Sequence, residues 1–162
     1  MDDITIIAKN IKLVATDIDG VWTDARMYVT PKGDWMKAFS TYDGMAVSML
    51  QKKGIIVAIL TSENTDIVLA RAEKLNIDEV YVDEHEKLKR LIYLSKKYEI
   101  SMDEVAYIGD DINDLEALKA AGLSALSANS PIQDQFTPNY ITKRNGGQGA
   151  FREFSDLILN AQ

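Results

Sequence analysis

Apolar runs of about five residues recur along the chain, separated by stretches of helical period. "IKLVATDID" (11–19), "VAILT" (57–61), "EVYVD" (79–83), "VAYIGD" (105–110) and "LSALS" (123–127) read as strands. One helix follows Asp43 and ends near Gly54, with Met45, Ala46, Met49 and Leu50 on its apolar face. A second spans about Asn64 to Leu75. A third, "HEKLKRLIYLSKKY" (85–98), offers Leu88, Leu91, Ile92 and Tyr98 for burial. A fourth, "INDLEALKAAG", stops at Gly122, and the last covers about Phe151 to Ile158. Strand–helix alternation with nearly continuous apolar strands predicts an α/β fold. The sheet is Rossmann-like, doubly wound and mainly parallel, with helices on both faces.

One stretch breaks the alternation. "ARMYVTPKGDWMKAFS" (25–40) has the pattern of a β-hairpin turning around Pro31, Lys32, Gly33 and Asp34. Its arms are apolar on both faces: Met27 and Val29 against Tyr28, Met36 and Ala38 against Trp35 and Phe39. A solvated hairpin keeps one face polar. Burial by a second copy of the chain is therefore expected, which would also cover the edge.

The 162 residues, 46% hydrophobic, suit one domain over 1–162. The net charge of −7 and a pI near 4.7 argue against general affinity for nucleic acid or anionic membrane. They also mean that an anionic substrate would need a local cation. The absence of cysteine excludes disulfides, thiolate metal sites and Cys nucleophiles. The N-terminal segment lacks signal-peptide features, and no apolar run reaches the roughly 18 residues of a membrane span, so a cytoplasmic location is the default.

In open α/β sheets, ligands bind beyond the carboxyl ends of the strands. Asp17 and Asp19 follow the first run, and Thr61 and Ser62 close the second. Asp110 and Asp111 follow the fourth, with Asn113 and Asp114 one turn later. Lys87 opens a helix after the third. Two carboxylates at one strand end repel each other and resist burial unless a cation joins them. Acidic groups converging from two strands suit Mg²⁺, which takes oxygen ligands. Thr61, nearby helix N–H groups and Lys87 suit the oxygens of a phosphate. His85, the single histidine, has no place in this chemistry. Trp22 and Trp35 read as packing or interface residues.

"DIDGVWTD" (17–24), "ILTSEN" (59–64), Lys87 and "YIGDDIND" (107–114) resemble, in order and spacing, the four motifs of the haloacid dehalogenase superfamily. That resemblance implies phosphoryl transfer through an aspartyl-phosphate. Asp17 would be the nucleophile. Asp19 would protonate the leaving alkoxide and then activate water. Mg²⁺ would be held by Asp17, the Asp19 backbone carbonyl and Asp110. Thr61 and Lys87 would bind the transferring phosphoryl group. Asn113 would orient the phosphate, and Asp111 or Asp114 would hold Lys87 or a metal-bound water.

Neither the segment from Gly20 to Thr61 nor that from Ser62 to Lys87 has room for a cap domain. This is similar to the capless subgroup containing 3-deoxy-manno-octulosonate 8-phosphate phosphatases, as are "FSTYDG" (39–44), which contains Thr41, and "RNGGQGAFREF" (144–154). The subgroup implies a homotetramer whose hairpins form a central barrel and whose neighbours complete each site, with the glycine-rich tail reaching across. One departure matters. The octulosonate pattern reads TGR where this chain reads "TSEN", with Ser62, Glu63 and Asn64. Glu63, Arg71 and Lys74 together resemble the branch acting on 2-keto-3-deoxynononic acid 9-phosphate, a nine-carbon, sialic-acid-type nonulosonate. That branch sets the main expectation, with the eight-carbon octulosonate 8-phosphate as the alternative. Arg71 or Lys74 would pair with the sugar carboxylate, and Glu63 would accept from hydroxyls. Outside this class stand a phospho-receiver domain and a catalytically idle scaffold. The order of the motifs disfavours the first and their completeness the second.

Overall fold

A computed structural model of the chain describes residues 3–162. Its central sheet contains β1 (Leu13–Thr16), β4 (Ile56–Leu60), β5 (Glu79–Tyr81), β6 (Val105–Gly109), β7 (Leu123–Leu126) and β8 (Tyr140–Ile141). The order is β5-β4-β1-β6-β7-β8, and every pairing is parallel. The five apolar runs all became strands. β8 was not expected. With two residues it carries too little pattern to stand out from a loop.

The pleat divides the core. Val14, Val57, Ile59, Ala106 and Ile108 face one layer, built from α1 (Asp3–Ala8), α2 (Thr41–Lys52), α3 (Asp66–Lys74) and α6 (Ala150–Ala161). Leu13, Ala15, Ala58, Leu60, Val105 and Tyr107 face α4 (Lys87–Lys97) and α5 (Leu115–Ala120). Alternate residues of each strand thus serve opposite helix layers, so both faces are apolar and the runs look continuous. Trp22 lies in the first layer with its ring centroid 4.9 Å from that of Phe151, and its Nε1 donates to Thr16 Oγ1. Truncating such a buried ring costs about 3–5 kcal/mol.

Several faces differ from expectation. In α2 the buried residues are Asp43, Gly44, Ala46, Val47 and Leu50, while Met45 is exposed. Asp43 belongs to this face because its Oδ1 accepts from Arg152 N of α6, tying the two helices. In α4, Leu91 and Leu94 are buried and Ile92 is exposed. Gly122 is not a left-handed helix stop. A Cβ there would lie 2.4 Å from the Asp103 carbonyl oxygen, so close backbone approach explains the glycine.

The hairpin is present as β2 (Tyr28–Thr30) and β3 (Gly33–Met36), antiparallel and separate from the main sheet. Gly33, at φ +114°, closes the turn. Val29 is 63% and Trp35 68% exposed, and Met27 and Met36 are exposed beside them.

Candidate active site

β1 is where the strand order reverses: β4 lies on one side of it and β6 on the other. At such a switch point the segments leaving neighbouring strands part and open a crevice. Thr16 and Ile108 are register partners, so Asp17 and Asp110 emerge side by side. Asp17 N extends the ladder by donating to Ile108 O. Gly20 then makes room. Its φ is +87°, and a Cβ would sit 1.9 Å from Asp110 Oδ2. Any other residue there would displace the carboxylate.

Lys87, the first residue of α4, inserts its ammonium between carboxylates. Its Nζ lies 2.7 Å from Asp114 Oδ1 and 3.0 Å from Asp17 Oδ1, with a side chain only 1% exposed. Burial alone would lower its pKa. Asp17 and Asp114 outweigh that and hold it above the ordinary 10.5, so the charge persists. Asp114 is fully engaged: Oδ1 accepts from Lys87 and the Tyr107 hydroxyl, and Oδ2 from the Asp110 and Asp111 N–H groups. Asp114 therefore anchors Lys87, one of the roles expected for it. Gly109 must lack a side chain because a Cβ would meet the Asp114 carboxylate at 2.5 Å.

Carboxylate oxygens of Asp17, Asp110 and Asp114 lie within 4.8 Å of one another. Burial raises the Asp110 pKa to about 8, reinforced by repulsion from Asp17, Asp114 and Asp111. Burial, then the Asp114 charge, raises Asp17 as well, against the pull of Lys87. One ammonium does not neutralise this group. An all-oxygen donor set with surplus negative charge fits a hard divalent cation. Because Asp114 has no idle oxygen, Asp17 and Asp110 are the residues that would hold it.

A cavity at this crevice is lined by Asp17, Asp19, Glu63, Asp110 and Asp111, with Thr61, Ser62, Asn113 and Ala25. Asn113 Nδ2 donates to Ser62 Oγ, linking the loops after β4 and β6. Thr61 is buried at the carboxyl end of β4. Thr41, Asn64, Arg71 and Lys74 do not reach this cavity within one chain. Lys74 is exposed in the last turn of α3. Arg71 packs instead over Gly44 and the Phe39 ring, where its Nη2 fills the space a Gly44 side chain would need. Trp22 and Trp35 are absent from the lining. His85 is exposed and pairs with Asp83.

Sequence reasoning missed three participants. Tyr107 holds Asp114; a hydroxyl two residues before a strand end was its only signal. Ser130 Oγ donates to the Asp110 carbonyl from the loop after β7. Lys37, just past the hairpin, places its ammonium on Asp19 at 2.8 and 2.9 Å.

The haloacid dehalogenase-like hydrolase family pattern matches residues 32–122, more than half of the chain. Haemophilus influenzae 3-deoxy-D-manno-octulosonate 8-phosphate phosphatase is 38% identical over 154 residues, which is 95% of this chain and 86% of that protein. This chain belongs to the haloacid dehalogenase superfamily. The Yersinia pestis 3-deoxy-D-manno-octulosonate 8-phosphate phosphatase is 36% identical, over 99% of this hydrolase and 86% of its own length. The Moraxella catarrhalis octulosonate phosphatase, solved with magnesium, phosphate and KDO, superposes with a TM-score of 0.95 at 40% identity. That match spans all of this hydrolase and 93% of the other chain. The expected Rossmann-like, capless fold is thus shared with its relatives.

Proposed function

We propose that this hydrolase is a Mg²⁺-dependent phosphoric monoester hydrolase acting on the phosphate ester of a 3-deoxy-2-keto sugar acid. The observation that carries the reading is the juxtaposition of Asp17 and Asp110, both paired or crowded around Lys87 at the switch point. Asp17 attacks phosphorus and the ester P–O bond breaks. Asp19 gives the leaving alkoxide its proton. Asp19 then takes a proton from water as that water attacks the aspartyl-phosphate, which releases inorganic phosphate and restores Asp17. Lys87 and Thr61 bind the phosphoryl oxygens, and Asn113 with Ser62 shapes the cavity floor. Asp17, Asp110 and the Asp19 carbonyl would hold Mg²⁺, which would supply positive charge to the phosphoryl group.

The relatives favour 3-deoxy-D-manno-octulosonate 8-phosphate as the substrate, ahead of the nine-carbon ester that the loop sequence suggests. The nine-carbon reading retains one support: Glu63 lines the cavity and suits a hydroxyl-rich chain rather than a carboxylate. Parallel kcat/KM assays of the two esters decide, with Asp17→Asn as the inactive control. At least tenfold preference for the eight-carbon ester is expected. The reverse preference would establish the nine-carbon substrate.

The cavity, about 180 Å³, is smaller than the roughly 300–1,000 Å³ of small-molecule pockets, so it holds the phosphoryl group and leaves the sugar outside. Among the described residues no Lys or Arg is in its lining, and Lys87, paired with Asp17 behind it, is committed to the phosphoryl group, so the sugar carboxylate requires a cation from elsewhere. A homotetramer docked through the hairpins supplies neighbouring residues, with Arg71 and Lys74 as candidates beside them. Light scattering should give the mass of four chains, and a fully active monomer would refute the shared site. A charged sugar-acid phosphate does not cross a bilayer unaided, which supports a cytoplasmic site of action for this hydrolase.

A further inference from the structure

The Lys37 side chain is 1% exposed, although its flanking residues Met36 and Ala38 are exposed. A buried ammonium is costly unless it is paired and hydrogen-bonded. Here Nζ spans both carboxylate oxygens of Asp19, at 2.8 and 2.9 Å, while the Thr23 hydroxyl donates to Oδ1 at 3.0 Å. Asp19 lines the cavity and Lys37 does not. It is also the residue directly after β3, on the return arm of a hairpin that leaves the site at Ala25.

We propose that Lys37 is a positioning residue that fixes the plane of the Asp19 carboxylate, so that the hairpin directs the acid–base step. The physical need is specific. Rotation about the last torsion of an aspartate is broad, so an unpaired carboxylate presents its oxygens in many directions. Proton transfer to a leaving oxygen requires one oxygen held within hydrogen-bond reach. An ammonium on both oxygens, with a hydroxyl on one, restricts that rotation in a carboxylate that still lines the cavity. Seating of the hairpin against another subunit would then reach the chemistry through a single side chain.

This proposal rests on Asp19 being the acid and base, and the test separates the two. kcat/KM reports the steps through alcohol departure. A primary alkyl phosphate such as glycerol phosphate needs a proton on its leaving oxygen, whereas p-nitrophenyl phosphate does not. In the full-length Mg²⁺-loaded enzyme, Lys37→Met should lower kcat/KM about 30- to 100-fold on the alkyl ester and less than about threefold on the aryl ester. Lys37→Arg, which keeps the charge, should recover part of the loss. Asp19→Ala should show the same leaving-group dependence, more strongly. Equal losses on both esters in Lys37→Met, or no loss, would overturn the positioning role. Equal losses in Asp19→Ala would remove the acid–base assignment, and the proposal with it. If circular dichroism shows that Lys37→Met does not fold, Lys37→Arg decides: an alkyl-to-aryl ratio unchanged from wild type refutes the role, and a lowered ratio upholds it.

Discussion

Two buried carboxylate clusters sit at opposite ends of the same sheet and are built in opposite ways. At the amino end, Glu79 opens β5 and accepts hydrogen bonds from Lys97, Tyr81 and Tyr98. Burial alone would raise its pKa, but these donors outweigh it and bring it below the ordinary 4.5. At the carboxyl end, Asp17 and Asp114 share Lys87 with Asp110 crowded beside them, and burial with mutual repulsion raises Asp110 to about 8. Glu79 is complete without a ligand. The Asp17–Asp110 pair is complete only with one. A buried acid whose donors match its oxygens supports the fold, and one crowded by like charge marks a binding site.

Neutralising one acid at each end should therefore have opposite consequences. Asp110→Asn should lower turnover more than about 10³-fold, the scale expected when a phosphoryl-transfer site loses charge stabilisation. Yet it should raise the stability of the Mg²⁺-free protein by about 1 kcal/mol, since it removes a charge held among like charges. Urea denaturation in EDTA reads the second effect, and a loss of stability there would erase the contrast. Glu79→Gln should leave turnover within about twofold and cost about 2 kcal/mol, because its charged hydrogen bonds weaken.

The smallest effect is the slope with pH. The folded pKa of Glu79 is depressed, so its contribution is present above pH 4.5 and lost as pH falls through the folded value. The wild-type advantage over Glu79→Gln should narrow on acidification. Asp43 should behave oppositely. Burial raises it to about 6 despite the bond from Arg152 N, and its Oδ2 has no partner. The folded state holds that proton more tightly than the unfolded chain, so stability falls as pH rises from about 4 to 6. Stability curves of wild type, Glu79→Gln and Asp43→Asn over about pH 2 to 7 check both signs, and parallel curves would contradict them.

Much of this was readable along the chain. Five strands are apolar runs because each is covered on both faces, and reading the residue after each run brought Asp17, Thr61, Lys87 and Asp110 together. Helix faces were less legible. Met45 and Ile92 fit an apolar stripe by spacing, but the stripe has a width and only packing decides which flank is covered. Asp43 was hidden by the opposite problem, a charged residue buried because a distant backbone N–H meets it.

Local pattern alone determined five of the strands of the main sheet, the hairpin and the strand-end acids, since each depends on neighbours two to four residues away. Tertiary structure decided the partners. Lys87 divides its charge between Asp17 and Asp114 because α4 starts beside the ends of β1 and β6. Gly20 is required by Asp110, ninety positions along the chain. Lys37 belongs to Asp19 because the hairpin folds back over the loop from which it departs. No spacing rule encodes such contacts, because the turn and the sheet order set the distance in space.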